Sequence, residues 1–119
     1  MTSLENTLEQ KNKHLKKTFK QNFLQQDYVC FQFLFKKEPP FYLIVEPTNF
    51  SFRPAINPSP TVRLYINNHC TCWNLLEGEK SGFTAFMEGK YYSDGHIVLS
   101  QRLLYLFNSK EPSKEQVIN

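Results

Sequence analysis

Between residues 28 and 66 large apolar side chains recur at every second position, in runs of no more than about eight residues. That spacing admits little besides short β-strands with one buried face. Tyr28-Val29-Cys30-Phe31-Gln32-Phe33-Leu34-Phe35 puts Val29, Phe31, Phe33 and Phe35 on one side of a first strand. Lys36 to Pro40 interrupts the pattern and Phe41 to Glu46 resumes it. Pro47 punctuates, and Thr48 to Arg53 sets Phe50 and Phe52 on a common side of a third strand. After the proline-rich loop Pro54 to Pro60, Thr61 to Asn67 alternates cleanly, with Val62, Leu64 and Ile66 on one face and Arg63 and Tyr65 on the other. The spacing predicts a meander of four short antiparallel strands.

Such a sheet needs a cover for its apolar face, and the flanking sequence supplies helices. Residues 1–27 contain no Gly or Pro, space Thr2 and Glu5 as a capping box, and carry Leu4, Leu8, Leu15, Phe19 and Phe23 as one stripe. At about 100° per residue, Lys13, Lys16, Lys17 and Lys20 fall on one arc beside that stripe, so the predicted helix is amphipathic and basic. Cys70 to Leu76 and Ser81 to Met87 read as short helices, Lys90 to Asp94 as a fifth strand ending at Gly95, and Ile97 to Phe107 as a last helix. Asp94 and Gly95 are expected to form the turn into that helix, and residues 109–119 a polar tail. The expected fold class is α+β: one domain over residues 1–108, with a five-stranded, mainly antiparallel sheet covered on one face by helices.

With 119 residues the chain has room for a single core, and 11 Phe, 6 Tyr and 1 Trp make the apolar supply strongly aromatic. Large rings at a sheet–helix interface make either a tight core or an interior cavity, and the periodicity is the same for both. No apolar run approaches the roughly 18 residues of a membrane span, and the polar residues 1–10 do not read as a signal peptide. A soluble, cytoplasmic protein is expected. A formal charge of +3 does not point to nucleic acid as a partner.

Three motifs invite a chemical reading, and each has a plainer one. His69-Cys70-Thr71-Cys72 gathers soft ligands, but its C-x-C spacing is not that of a zinc knuckle and no second cluster accompanies it, so no metal is expected. Cys30, Cys70 and Cys72 are odd in number and fit reduced thiols. Gly78 and Gly82 lack the glycine order of a phosphate-binding loop.

One segment is more specific. In GFTAFMEGKYYSDGHIVLSQRLLYLFN, residues 82–108, an apolar helix ends in Phe86-Met87-Glu88-Gly89-Lys90 and Gly95 opens a second apolar helix. Upstream stand a strand over residues 61–67, Asn67-Asn68 opening a helix with Trp73, and Leu76 before Gly78. This ordered set resembles the sterol carrier protein type-2 family through residues 61–108, while the first 60 residues agree in layout.

The resemblance implies a hydrophobic cavity between sheet and helices that holds a sterol, fatty acyl chain or phospholipid, with no cofactor and no catalysis. Phe83, Phe86, Met87, Ile97, Leu99, Leu103, Leu106 and Phe107 are expected to line it, with Phe31, Phe33 and Trp73 opposite. Tyr91-Tyr92 stands where the family usually has smaller aliphatic residues, which narrows the expected tunnel. Residues 116–119, Gln-Val-Ile-Asn, are not the small-basic-leucine ending of peroxisomal members, so that route is not expected. A carrier must also meet a membrane, and Lys13, Lys16, Lys17 and Lys20 are the expected contact with its surface. The alternative is a non-catalytic accessory protein of the same fold assisting lipid or isoprenoid-quinone metabolism; a small enzyme needs converging polar groups, which the sequence does not offer.

Overall fold

A computed structural model describes residues 3–110. The chain order is α1 (Ser3–His14), a single 3-10 turn (Leu15–Lys17), β1 (Val29–Leu34), β2 (Phe41–Val45), β3 (Phe50–Pro54) and β4 (Val62–Ile66), then α2 (His69–Leu76), α3 (Gly82–Met87), β5 (Tyr91–Gly95) and α4 (Ile97–Leu103). The strands form one sheet in the order β3-β2-β1-β4-β5. The alternation read from sequence sets the inner face. Val29, Phe31 and Phe33 lie beside Val45, Leu43 and Phe41, Leu43 beside Phe52, and Phe33 beside Leu64. These side chains are buried under the helices.

One pairing departs from the expected meander. β4 does not follow β3 but returns to the other side of β1 and pairs with it in parallel, Phe31 opposite Val62 and Leu34 opposite Tyr65. Residues 55–61 carry the chain across the outer face to get there. Gln32 is the reason the crossing holds. Its side chain is buried on that face, donating to Phe41 O at 3.1 Å and Ala55 O at 3.2 Å and accepting from Asn57 N at 2.7 Å. Cys30, also buried, donates its backbone N–H to Thr61 Oγ1 at 3.0 Å. β1 is therefore covered on both faces, the usual condition for a strand with a parallel partner.

The first helix is shorter than residues 1–27. It ends at His14, passes through the 3-10 turn and stops at Thr18, whose N–H bonds Leu15 O at 3.2 Å. No breaker stands there; tertiary contacts override the helical pattern. Lys20 N donates to Leu106 O at 3.1 Å and Asn22 N to Pro47 O at 2.7 Å, while the Phe19 ring sits 4.9 Å from Phe50. Residues 18–28 thus form an irregular strap rather than further helix. Thr2 of the expected capping box and residues 111–119 of the expected tail lie outside the described residues.

The last helix is also shortened, ending at Leu103 and continuing to Asn108 as turns. Asp94 and Gly95 belong to β5 instead of a turn, and His96 is the N-cap, its Nδ1 accepting from Leu99 N at 3.4 Å. Strand pairing with Val62 and Arg63 claims the backbone of both residues.

Candidate functional site

The residues expected to line a cavity fall into two groups. Phe31, Phe33, Leu99, Leu103, Leu106 and Phe107 are buried between sheet and helices, and Trp73 is half-buried. Phe83, Phe86, Met87 and Ile97 lie on the surface, at 74%, 58%, 66% and 65% exposure.

The buried group is tightly filled by rings. Trp73 stacks on Phe41 at 5.2 Å and 8°, and meets Phe52 edge-on at 5.2 Å. Phe52 lies 5.8 Å from Phe107, which meets Phe50 edge-on at 4.9 Å, and Phe33 lies 5.1 Å from Phe41. These spacings are those of favourable tilted and offset pairs. The interface that the resemblance made a cavity is thus occupied by side chains over most of its width.

Local packing explains the exposed group. A Cβ added at Gly82 would lie 2.4 Å from Leu104 Cδ1, and Ala85 is wholly buried. Small residues three apart let α3 press against β5 and the end of α4. Phe83, Phe86 and Met87, at complementary angles around this short helix, then turn outward. Hydrophobicity gave the wrong face because residue size, not apolarity, decides which side fits.

Open space lies at the rim, on either side of the strap. A slot of about 10 Å³ is bounded by Phe19, Phe23, Val45, Pro47 and Leu106, among others. A wider open cleft of about 170 Å³ is formed by Leu24, Gln25, Gln26, His96, Val98, Leu99 and Arg102. Leu24, 4% exposed, lines both, together with Gln25 and Gln26. The strap carrying it holds two non-glycine residues at positive φ, Asn22 at 60° and Gln25 at 58°. Asparagine tolerates that region; glutamine does so at a cost of about 1 kcal/mol. Arg102 tethers the strap, its Nη1 donating to Phe23 O at 3.2 Å. Neither Leu24 nor Arg102 is conspicuous in sequence, since the first stands off the apolar stripe read for residues 1–27 and the second is a basic residue of an apolar helix.

The polar residues singled out earlier serve the fold. The His69 ring bonds Pro39 O at 2.9 Å, Cys72 is buried and Cys70 exposed, so the three side chains of that motif enter different surroundings. Among the described residues no group of three or more His, Cys, Asp or Glu is placed to hold a metal ion. Burial pushes the Cys72 thiol well up, an effect that nearby Lys11 partly offsets. Burial likewise raises the Tyr91 phenol, against the pull of its bonds to Ser93 and Ser100. Tyr91 therefore faces inward, whereas Tyr92 lies on the outer face against Tyr65 at 4.9 Å, so one ring of the pair enters the interior. The lysine arc shrinks with the helix. Lys13, Lys16 and Lys17 are exposed, but Lys20 is half-buried and its Nζ donates to Lys110 O at 2.9 Å.

No family model and no curated protein matches the sequence. Solved structures do. The UbiJ-SCP2 ubiquinone synthesis protein superposes with a TM-score of 0.73 at 8% identity, over 88% of this chain and 96% of that one. Palmitated SCP2L2 from Aedes aegypti gives 0.58 at 16% identity, over 89% and 95%. The fold is that of the sterol carrier protein type-2 domain. The same fold superposes on the stereoselective inverting sec-alkylsulfatase Pisa1 from Pseudomonas sp. with a TM-score of 0.66 at 16% identity, over 83% of this chain. The chain spans only 16% of that enzyme's length. Among the described residues of this sterol carrier-like domain, no helix is long and apolar enough to cross a membrane.

Proposed function

We propose that the protein binds a lipid, whether sterol, fatty acyl chain or phospholipid, in the apolar space between sheet and helices, and transfers it without catalysis. The observation that carries this reading is the buried Leu24, whose strap borders both the slot and the open cleft at the rim of an otherwise filled aromatic interior. A cleft of about 170 Å³ is smaller than the 300–1,000 Å³ of ordinary ligand sites, so a cargo must displace the strap. The strap is held by hydrogen bonds from Lys20, Asn22 and Arg102 and by the Phe19 ring against Phe50, and strain at Gln25 offsets part of the cost of lifting it. Apolar cargo then gains about 25 cal/mol per Å² removed from water. Leu99, Leu103, Leu106 and Phe107 line the opened space in this reading, with Phe31, Phe33 and Trp73 opposite. Lys13, Lys16 and Lys17 add a weak, salt-sensitive attraction to anionic membrane surfaces.

Mass spectrometry of lipids extracted from the purified native protein tests the proposal. A reproducible stoichiometric lipid is the expected result. Clean protein that also fails to take up a fluorescent acyl probe would overturn it. A second reading, an accessory role in isoprenoid-quinone synthesis, is favoured by the likeness to UbiJ-SCP2 over nearly the full length of both chains. Co-purification of a polyprenylated ring in place of an acyl lipid would select it.

A further inference from the structure

We infer that the outward face of α3, made by Phe83, Phe86 and Met87, is a membrane-docking surface that inserts into the lipid interface, separate from the lysines of the first helix. The three side chains are 74%, 58% and 66% exposed on one short helix beside the edge strand β5. At 150–250 Å² for a large side chain, they leave roughly 400 Å² of apolar surface in water, about the size at which a patch marks an interaction site.

Area and charge choose the occupant. A stable protein pair buries about 800 Å² on each partner, twice what this face offers, whereas insertion into lipid needs only a few side chains. The rim is balanced in charge. Lys80 and Lys90 both reach Glu88, at 2.8 Å and 3.3 Å, and exposed Glu79 adjoins Lys80. Two cations and two carboxylates confer no preference for an acidic or a basic protein partner. The attraction left is apolar transfer, with the lysine stems lying along the interface. Docking here is therefore insensitive to salt, unlike attraction through Lys13, Lys16 and Lys17.

Only the use of the surface, delivery of cargo, rests on the lipid-binding reading; the test itself needs no cargo. The full chain is sedimented with phosphatidylcholine vesicles at low and high salt. Binding should change less than twofold with salt, and Phe83→Gln with Met87→Gln should weaken it at least about tenfold. Because both positions are exposed, the double variant should keep the wild-type melting temperature. Phe86→Trp gives a second readout, an emission that shifts to the blue on adding vesicles, measured over the constant Trp73 signal. Three results overturn the inference: no binding to phosphatidylcholine vesicles, binding that the α3 substitutions leave intact, or a wild-type dimer that the double variant abolishes. The last would assign the face to a second copy of the chain. Clean protein that takes up no acyl probe yet still binds vesicles would instead sink the carrier reading and leave this one standing.

Discussion

The two edges of the sheet are finished in opposite ways. At the β3 edge, α1 lies along the strand and Asn12 acts as a surrogate strand residue, its Oδ1 accepting from Phe52 N at 2.7 Å and its Nδ2 donating to Phe52 O at 3.1 Å. Lys11 fastens the same helix to α2 through Glu77 at 2.5 Å and lies 4.9 Å over the Trp73 ring. Both backbone groups of Phe52 at the centre of that edge strand are thereby satisfied, and its ring is buried. At the β5 edge, α3 contributes Gly82 and Ala85 to packing and turns Phe83, Phe86 and Met87 to solvent. The contrast shows that one sheet can carry a structural margin and a presenting margin: the polar α1 ties down the β3 edge through Asn12, while the small residues of the apolar α3 take up its packing face and leave its large side chains outside.

Substitutions of the same kind at the two margins should separate them most. Phe107→Ala removes a buried ring that touches Phe19, Phe50 and Phe52, and should cost about 3–5 kcal/mol in denaturant unfolding. Phe83→Ala, at an exposed site, should stay within about 0.5 kcal/mol. Comparable losses at both would mean that α3 is structural and end the contrast. Asn12→Ala should cost about 1–3 kcal/mol, because it unpairs two backbone groups of Phe52. It should also raise concentration-dependent association through the opened edge, seen by light scattering.

Raising the pH sharpens the same distinction chemically. Cys72 and Tyr91 are held neutral by burial, with folded values above the ordinary 9.0 of a thiol and 10.0 of a phenol. Their contribution to stability is complete below pH 9 and is lost as the pH climbs toward the raised folded values. Melting scans should therefore fall off above pH 9, less steeply in Cys72→Ala than in wild type. An unchanged slope in that variant would remove the thiol from the account. The smallest effect concerns the strap, where Gln25→Gly should relieve a left-handed glutamine and stabilise by up to about 1 kcal/mol. A loss of stability there would mean that the Gln25 side chain holds the strap down.

Most of the architecture was legible in the sequence because short strands with one wet face write their period directly. β4 alternates in burial as Val62–Ile66 alternates in type, and β2, an unbroken apolar run in sequence, alternates in burial with the same period. β1 concealed its second buried face, since Cys30 and Gln32 look like outward residues until residues 55–61 cross them. The strap was illegible for a related reason: residues 18–27 read as a continuation of the first helix, and only distant partners such as Pro47 and Leu106 unwind it. Among the residues expected to line a cavity, the burial of Phe31, Phe33, Leu99, Leu103, Leu106 and Phe107 follows their period. The outward turn of α3 was missed because the decisive residues, Gly82 and Ala85, are the ones a search for large apolar side chains passes over.

Gln32 has a kinetic consequence. The pairing of β1 with β4 joins positions such as Cys30 and Thr61, 31 residues apart, whereas β1, β2 and β3 can zip through local hairpins. Closing the larger loop costs more chain entropy, so the hairpins form before the crossing does. The Gln32 amide gathers Phe41, Ala55 and Asn57 only once that crossing is in place, which makes it a latch on the finished protein and not part of its folding nucleus. Gln32→Leu should then hasten unfolding many-fold while leaving the refolding rate nearly unchanged.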